Sequence, residues 1–335
     1  MKYIVCMIWL LAIGSLSASN LLTAEKIEIV LSGEEALLNA RWDKAYETYD
    51  SLCRLDSTDP AGYLYRAVVL QTEMTDREEV FRKREFTRLL DRAEKLGEDY
   101  MRKGCSSRDS AVCQLYIGHQ HAYRAVWETR FGSSISAITY GFKAKGAYQK
   151  GLRIDSTLYD LYLGMGSYHY WKSVKSGVLR YTGIFNDDRE QGIAEIHLAI
   201  DSSLISRDAA KTSLIYILMN ENKYDSAILI AEEMFAEYPH GNFFLWPIAE
   251  SYRELENHEM TGKYYKMLYD RLKESPGNYY NLIEAAFYYY RTCEKLDCKD
   301  EAYPVVKSLI EAYREIPRET IREQRNKLTY LRRRY

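Results

Sequence analysis

The chain has 335 residues, with 46 Lys and Arg against 48 Asp and Glu, giving a formal net charge of −2. This near balance leaves no basic excess to follow nucleic-acid phosphates, so binding to DNA or RNA is not expected. Tyrosine is over-used, at 31 against 9 Phe and 5 Trp, so most aromatic rings carry a polar tip. Such rings suit half-buried helix seams with the hydroxyl in water, or an aromatic binding face.

The N-terminus reads as an export signal over residues 1–19. Lys2 supplies the positive start, Ile4 to Ile13 is uninterrupted and apolar, and small residues place cleavage after Ser17 or Ser19. The run is too short for a comfortable membrane span. The expected product is exported, periplasmic or secreted, and not an integral membrane protein after cleavage. Cys6 precedes any cleavage site, so lipid attachment there is not expected. Cys53, Cys105, Cys113, Cys293 and Cys298 remain. In an oxidising compartment Cys105 with Cys113 and Cys293 with Cys298 can each close a short loop, with free thiols as the equal alternative. Zinc is not expected, because no second ligand cluster follows Cys293 and Cys298.

Helical spacing begins at Ile29-x2-Ser32-Gly33-x2-Ala36 and continues through Ala45-x3-Tyr49, with Trp42 at the turn and Pro60 closing the unit. Tyr63-x2-Arg66-Ala67-x2-Leu70 opens the next. Its partner carries Phe86, Leu89, Leu90, Ala93 and Leu96, with an interruption expected at Gly97. Cys105 to Asp109 reads as a loop. A helix over Ala111 to Arg130 is centred on Gly118 and carries His119 and His121, which point to different sides and would not share a metal. Ile135 to Arg153 is its partner, through Ala144-x3-Tyr148. Gly164 and Gly166 then stand inside a helix, where each costs about 1 kcal/mol relative to alanine and calls for a close helix approach. A connector over Lys172 to Gly183 leads to Asp187 and Glu190, spaced as a capping box, and to a helix through Gly192-x3-Ile196.

The pattern is clearest over residues 208–276: Ala209-x2-Thr212-Ser213-x2-Tyr216 with Ala227-x3-Ala231 and Pro239, then Leu245-x2-Ile248-Ala249-x2-Tyr252 with Thr261-x3-Tyr265 and Pro276. Ala227 and Thr261 are 34 residues apart. This resembles the tetratricopeptide repeat (TPR) family. The resemblance implies an all-α fold, a right-handed superhelical solenoid of antiparallel helix pairs, over residues 20–316. Irregular units fall in 60–205, and a polar capping segment over 317–335 ends in Arg332-Arg333-Arg334. Residues 164–196 are also similar to a eukaryotic TPR family linked to inclusion-body clearance and lipid droplets. That family has Gly where Asp187 stands, and no activity is carried over from it.

Motifs for chemistry are missing. His258-Glu259 meets Gly262 where a zinc protease needs a second histidine, and there is no Gly-x-Ser-x-Gly elbow or phosphate loop. The expectation is no catalysis, no metal and no cofactor. The resemblance places concave-face positions at Leu115, His119, Leu161, Met165, Tyr168, Trp246, Glu250 and Arg253. Such an apolar and aromatic groove implies a scaffold that binds another cell-envelope protein, or a carrier for a hydrophobic small molecule or lipid. The same residues can instead be covered by a tighter curl of the helices or by the connector.

Overall fold

The computed structural model describes residues 19–176, 186–275 and 277–334. The expected signal over 1–19 falls almost wholly outside the described residues, as do most of the 172–183 connector, Phe185 and Pro276. All regular structure among the described residues is helical. In order the helices are α1 (Ala24–Leu38), α2 (Trp42–Leu55), α3 (Pro60–Arg77), α4 (Lys83–Arg102), α5 (Ser107–Phe131), α6 (Ser134–Ile154), α7 (Asp160–Ser176) and α8 (Arg189–Ser202). There follow α9 (Arg207–Asn220), α10 (Tyr224–Glu237), α11 (Leu245–Glu254), α12 (His258–Lys273), α13 (Tyr279–Leu296), α14 (Lys299–Glu311), α15 (Arg318–Glu323) and α16 (Arg325–Arg332). From α1 to α14 each packs chiefly on the helix before it and the helix after it, in antiparallel neighbouring pairs, and α16 packs back on α13.

The helix starts follow local chemistry. Asp59 caps α3 by accepting the Ala61 N–H at 2.8 Å, with Pro60 at the first helical position, where a missing N–H costs nothing. Lys26 reaches the same buried carboxylate at 2.5 Å, tying α1 to the start of α3. Ser106 accepts from the Asp109 N–H at 3.0 Å, so α5 begins inside the stretch expected to be a loop. Gly97 does not interrupt α4; a methyl there would touch Ile117 at 3.4 Å, so the glycine sits in a close contact with α5. The capping box at Asp187 and Glu190 does not form. Asp188 stands at the N-cap with its carboxylate on Lys172, while Asp187 bonds the Arg189 guanidinium at 2.9 Å.

Small residues decide where helices touch. Tyr148 of α6 is fully buried between α5 and α7, where a methyl on Gly118 or Gly164 would stand 2.3 or 2.2 Å from its ring. Gly166 and Gly192 face each other, a methyl on either meeting the other's carbonyl oxygen at 2.6 or 2.7 Å. The two glycines of α7 thus permit two different close approaches. Leu328 and Leu331 of α16 are buried against the last helices, and Arg334 is held by Glu294 at 3.0 Å and stacks over Tyr330.

The row of helices also curls back on itself. Leu38, at the end of α1, belongs to the C-terminal core, and the Asn39 side chain accepts the His240 N–H at 3.2 Å. Trp42 meets Phe243 edge-on, with ring centroids 5.9 Å apart. One turn further along, Asn278 and Asn281 donate to the Asp76 carbonyl at 2.9 and 2.5 Å. Gly241 lies so close to α1 that a methyl would stand 2.0 Å from the Leu38 carbonyl oxygen. Backbone cannot yield that distance without displacement, so Gly241→Ala is expected to destabilise the chain by about 1–3 kcal/mol. The same variant should increase the radius of gyration, measured by small-angle X-ray scattering, because it pries the two ends apart.

Candidate functional site

Where the C-terminal end of α3 faces α9, α11 and α13, the curl leaves a cleft of about 320 Å³. Asp76 and Glu78 come from α3 and its cap, Arg130 from α5, Tyr216 from α9, Trp246 and Glu250 from α11, and Tyr280 and Glu284 from α13. Trp246 and Glu250 share one helix face because they are four residues apart. Glu78 closes α3 in the left-handed conformation, φ 52°. That places Asp76 and Glu78 at the negative end of the helix dipole, where a carboxylate is disfavoured and a cation is welcome.

The carboxylates are unequally satisfied. Glu78 accepts from Arg130 at 2.6 Å, and Glu284 accepts from Gln324 at 3.0 Å and from Lys327. Among the described residues Asp76 and Glu250 make no hydrogen bond and no ion pair through their carboxylates. Burial pushes Asp76 up to about 6, with Glu73 and Glu78 adding to it and Arg77 opposing. Burial also raises Glu250, helped by Glu284 and opposed by Arg253. Tyr216 is 44% exposed, yet desolvation and the Glu250 charge push its hydroxyl up to about 12. The two facts agree if the ring faces water held inside a concavity of protein atoms. The cleft is therefore aromatic on its walls, open to solvent, and supplied with two carboxylates that no cation contacts directly.

The other residues singled out in the sequence lie elsewhere. Leu115 and Leu161 are fully buried, and His119 and Met165 nearly so; all four are packed inside the N-terminal half. The His119 ring meets the Tyr148 hydroxyl at 2.9 Å, and burial pulls its pKa down to about 4, so it is a neutral seam group. His121 is pulled down equally, by burial and then by Lys143 and Arg124. Tyr168 sits on the outer side against Phe142 and Lys145. Arg253 borders the cleft, donating to the Tyr265 hydroxyl at 3.0 Å and lying over the Tyr288 ring. The structure thus brings Trp246, Glu250 and Arg253 together and separates them from the rest. Tyr216, expected as seam packing, is a cleft wall. Asp76 and Tyr280 carry no motif, and their membership depends on contacts spanning some two hundred residues.

All five described cysteines are free thiols in this structure. Cys298 donates its N–H to the Cys293 carbonyl at 2.9 Å across the end of α13. Burial, with the hydrogen bond to Cys298, pushes the Cys293 thiol up to about 12 and so holds it protonated at neutral pH. Among the described residues no three His, Cys, Asp or Glu side chains converge as metal ligands would. No described helix is long and apolar enough to cross a membrane. No protein-family profile matches the chain, and no curated protein matches it.

The Asp76 shift carries a stability consequence. The unfolded chain releases this proton near the ordinary 3.8, whereas the folded chain holds it to about 6. Between those values the folded state binds more protons, so stability falls as pH rises through the window. Above it the charged carboxylate costs about 1–2 kcal/mol after allowance for water in the cleft. Asp76→Asn should accordingly raise the melting temperature at pH 7.5, and the gain should vanish by pH 4.

Proposed function

We propose that the chain is an exported, TPR-like scaffold that binds a protein of the cell envelope and performs no chemistry of its own. The partner presents Lys or Arg side chains to the cleft between Asp76, Glu250, Trp246 and Tyr216. One observation carries this reading: two desolvated carboxylates without partners stand beside aromatic walls. An incoming ammonium or guanidinium would gain charge-assisted hydrogen bonds from the carboxylates and attraction to the ring faces. Retaining an unpaired Asp76 at a cost in stability is the pattern of a site kept for binding. The repeat spacing over 208–276 and the antiparallel neighbouring pairs support the TPR-like part of the reading. The apolar run ahead of Ser19 supports export.

A carrier of lipid-like molecules fits less well. A hydrocarbon tail placed here would leave Asp76 and Glu250 buried without water or partner, which is costly.

Native mass spectrometry of the tagged chain, captured gently from its own cell envelope, tests the proposal. The expected spectrum shows a stoichiometric second polypeptide. Trp246→Ala should weaken that complex by about 2 kcal/mol or more, the scale of an aromatic anchor. Asp76→Asn should weaken it while stabilising the free chain. Acidifying from pH 7.5 to 5 should weaken the wild-type complex as Asp76 takes up its proton. A bare mass, or a small added mass unaffected by these variants, would overturn the assignment.

A further inference from the structure

α5 and α6 are the longest helices among the described residues, at 25 and 21 residues. No residue between Ser134 and Lys143 is buried. Ile135 is 79% exposed, Ile138 59% and Phe142 53%, and Val126 on the facing part of α5 is 53% exposed. At helical spacing Ile135, Ile138 and Phe142 share the outward face of α6, opposite Ala144, Ala147, Tyr148 and Gly151, which are buried. Among the described residues Phe142 has one aromatic neighbour, Tyr168, at 6.2 Å. A methyl added at Gly141 or Gly146 would meet nothing within 4 Å.

The charge pattern of this helix is as one-sided as its exposure. In a chain of net charge −2, α6 contains no Asp or Glu and carries Lys143, Lys145, Lys150 and Arg153. None of these four has an ion-pair partner among the described residues, although many other cations of the chain are paired. Lys143 feels the Glu94 carboxylate of α4 and lies over Tyr140, while Lys145 lies over Tyr168. By helical spacing Lys143 and Lys150 flank the apolar face on one side and Lys145 flanks it on the other.

We infer that the outward face of α6 docks on an anionic phospholipid surface. An amphipathic helix with an apolar face and a purely basic border lies in the plane of a bilayer. Its Ile and Phe side chains enter the acyl boundary, and its lysines extend to the phosphates. Charge complementarity selects a lipid surface carrying negative headgroups, because the helix offers cations and no carboxylate with which to pair a basic partner. The attachment is peripheral, requires no membrane-crossing helix, and is independent of the cleft.

Flotation of the full chain with vesicles of phosphatidylcholine alone, or with 30 mol% phosphatidylglycerol, tests the inference. Lys2 and residues 4–13 are common to every variant, so the comparison between variants reads the contribution of α6. Binding to the anionic vesicles is expected to exceed binding to the neutral ones by about tenfold or more, and to fall in 0.5 M salt. Lys143→Gln with Lys150→Gln should weaken anionic binding about thirtyfold, each cation being worth about a factor of five near such a surface. Ile135→Ser with Phe142→Ser should weaken flotation with the anionic vesicles about tenfold or more without altering the circular dichroism or the melting temperature, since neither side chain is buried. Asp76→Asn, in the cleft, should leave flotation unchanged, which separates a failure here from a failure of the cleft. Equal binding to both vesicles, or serine variants that float as well as wild type, would overturn the inference. So would a wild-type dimer in sedimentation that the serine variants convert to monomer without any vesicle preference, which would assign the face to a second copy of the chain.

Discussion

The contact of the Leu38 carbonyl with Gly241 is the constraint on which the rest of the arrangement depends. A row of helix pairs that touched only its neighbours would leave α1 and α11 far apart. Here the end of α1 is driven into the C-terminal core, and the hydrogen bond from His240 to Asn39 and the edge-on rings of Trp42 and Phe243 fix its position. Only a residue without a side chain fits at position 241. Because closure joins residues some two hundred apart, its entropic cost is that of a long loop, which grows only slowly with length. A few well-made contacts are enough to hold it.

Close packing and closure together determine what the inner surface can be. Leu115, Leu161 and Met165 are core because the helices of the N-terminal half pack closely on one another, so the apolar positions there are already covered. What remains open is the place where the two ends do not quite meet, and there the side chains are polar or aromatic. Glu34 shows the same squeeze nearby: burial, then Asp208 and Asp160, push its carboxyl up to about 8, so at neutral pH it is held uncharged beside the first turn of α9. Groups of one sign crowded in a concave site repel one another, and burial there adds to the cost of each charge. The cleft is therefore electrostatically strained in a way that a cation relieves.

The two surfaces assigned roles differ in their physics. The cleft is concave, with unpaired carboxylates and rings fixed by packing, and it suits a discrete cationic group. The face of α6 is convex, apolar at its centre and basic at its border, and it suits an extended anionic layer. Arg130 lines the cleft from the same hairpin that carries Ile135 and Phe142, so a protein held at a lipid surface by α6 would present its cleft close to that surface. A membrane-proximal scaffold is what the two together would make.

Local chemistry in the sequence determined the elements and their pairing. Apolar spacing marked the helices, and Gly118, Gly166, Ala249 and Thr261 marked where helices come close, because the steric demand for a small residue is written directly into the chain. Pro60, read as closing a unit, instead opens α3 behind the Asp59 cap. The tight stacking of Tyr148 between Gly118 and Gly164 was foreshadowed by those glycines, although its partners were not. Tertiary structure alone decided which inward positions stay open. Leu115 and Trp246 occupy equivalent places in the repeat pattern, yet one is wholly buried and the other lines a cleft, since the difference lies in how closely the surrounding helices pack. Nothing local to Asp76 distinguishes it from the many other acidic residues of the chain. Its missing partner and its raised pKa arise only when α13 is brought against the end of α3, which is a property of the closed chain and not of any segment of it.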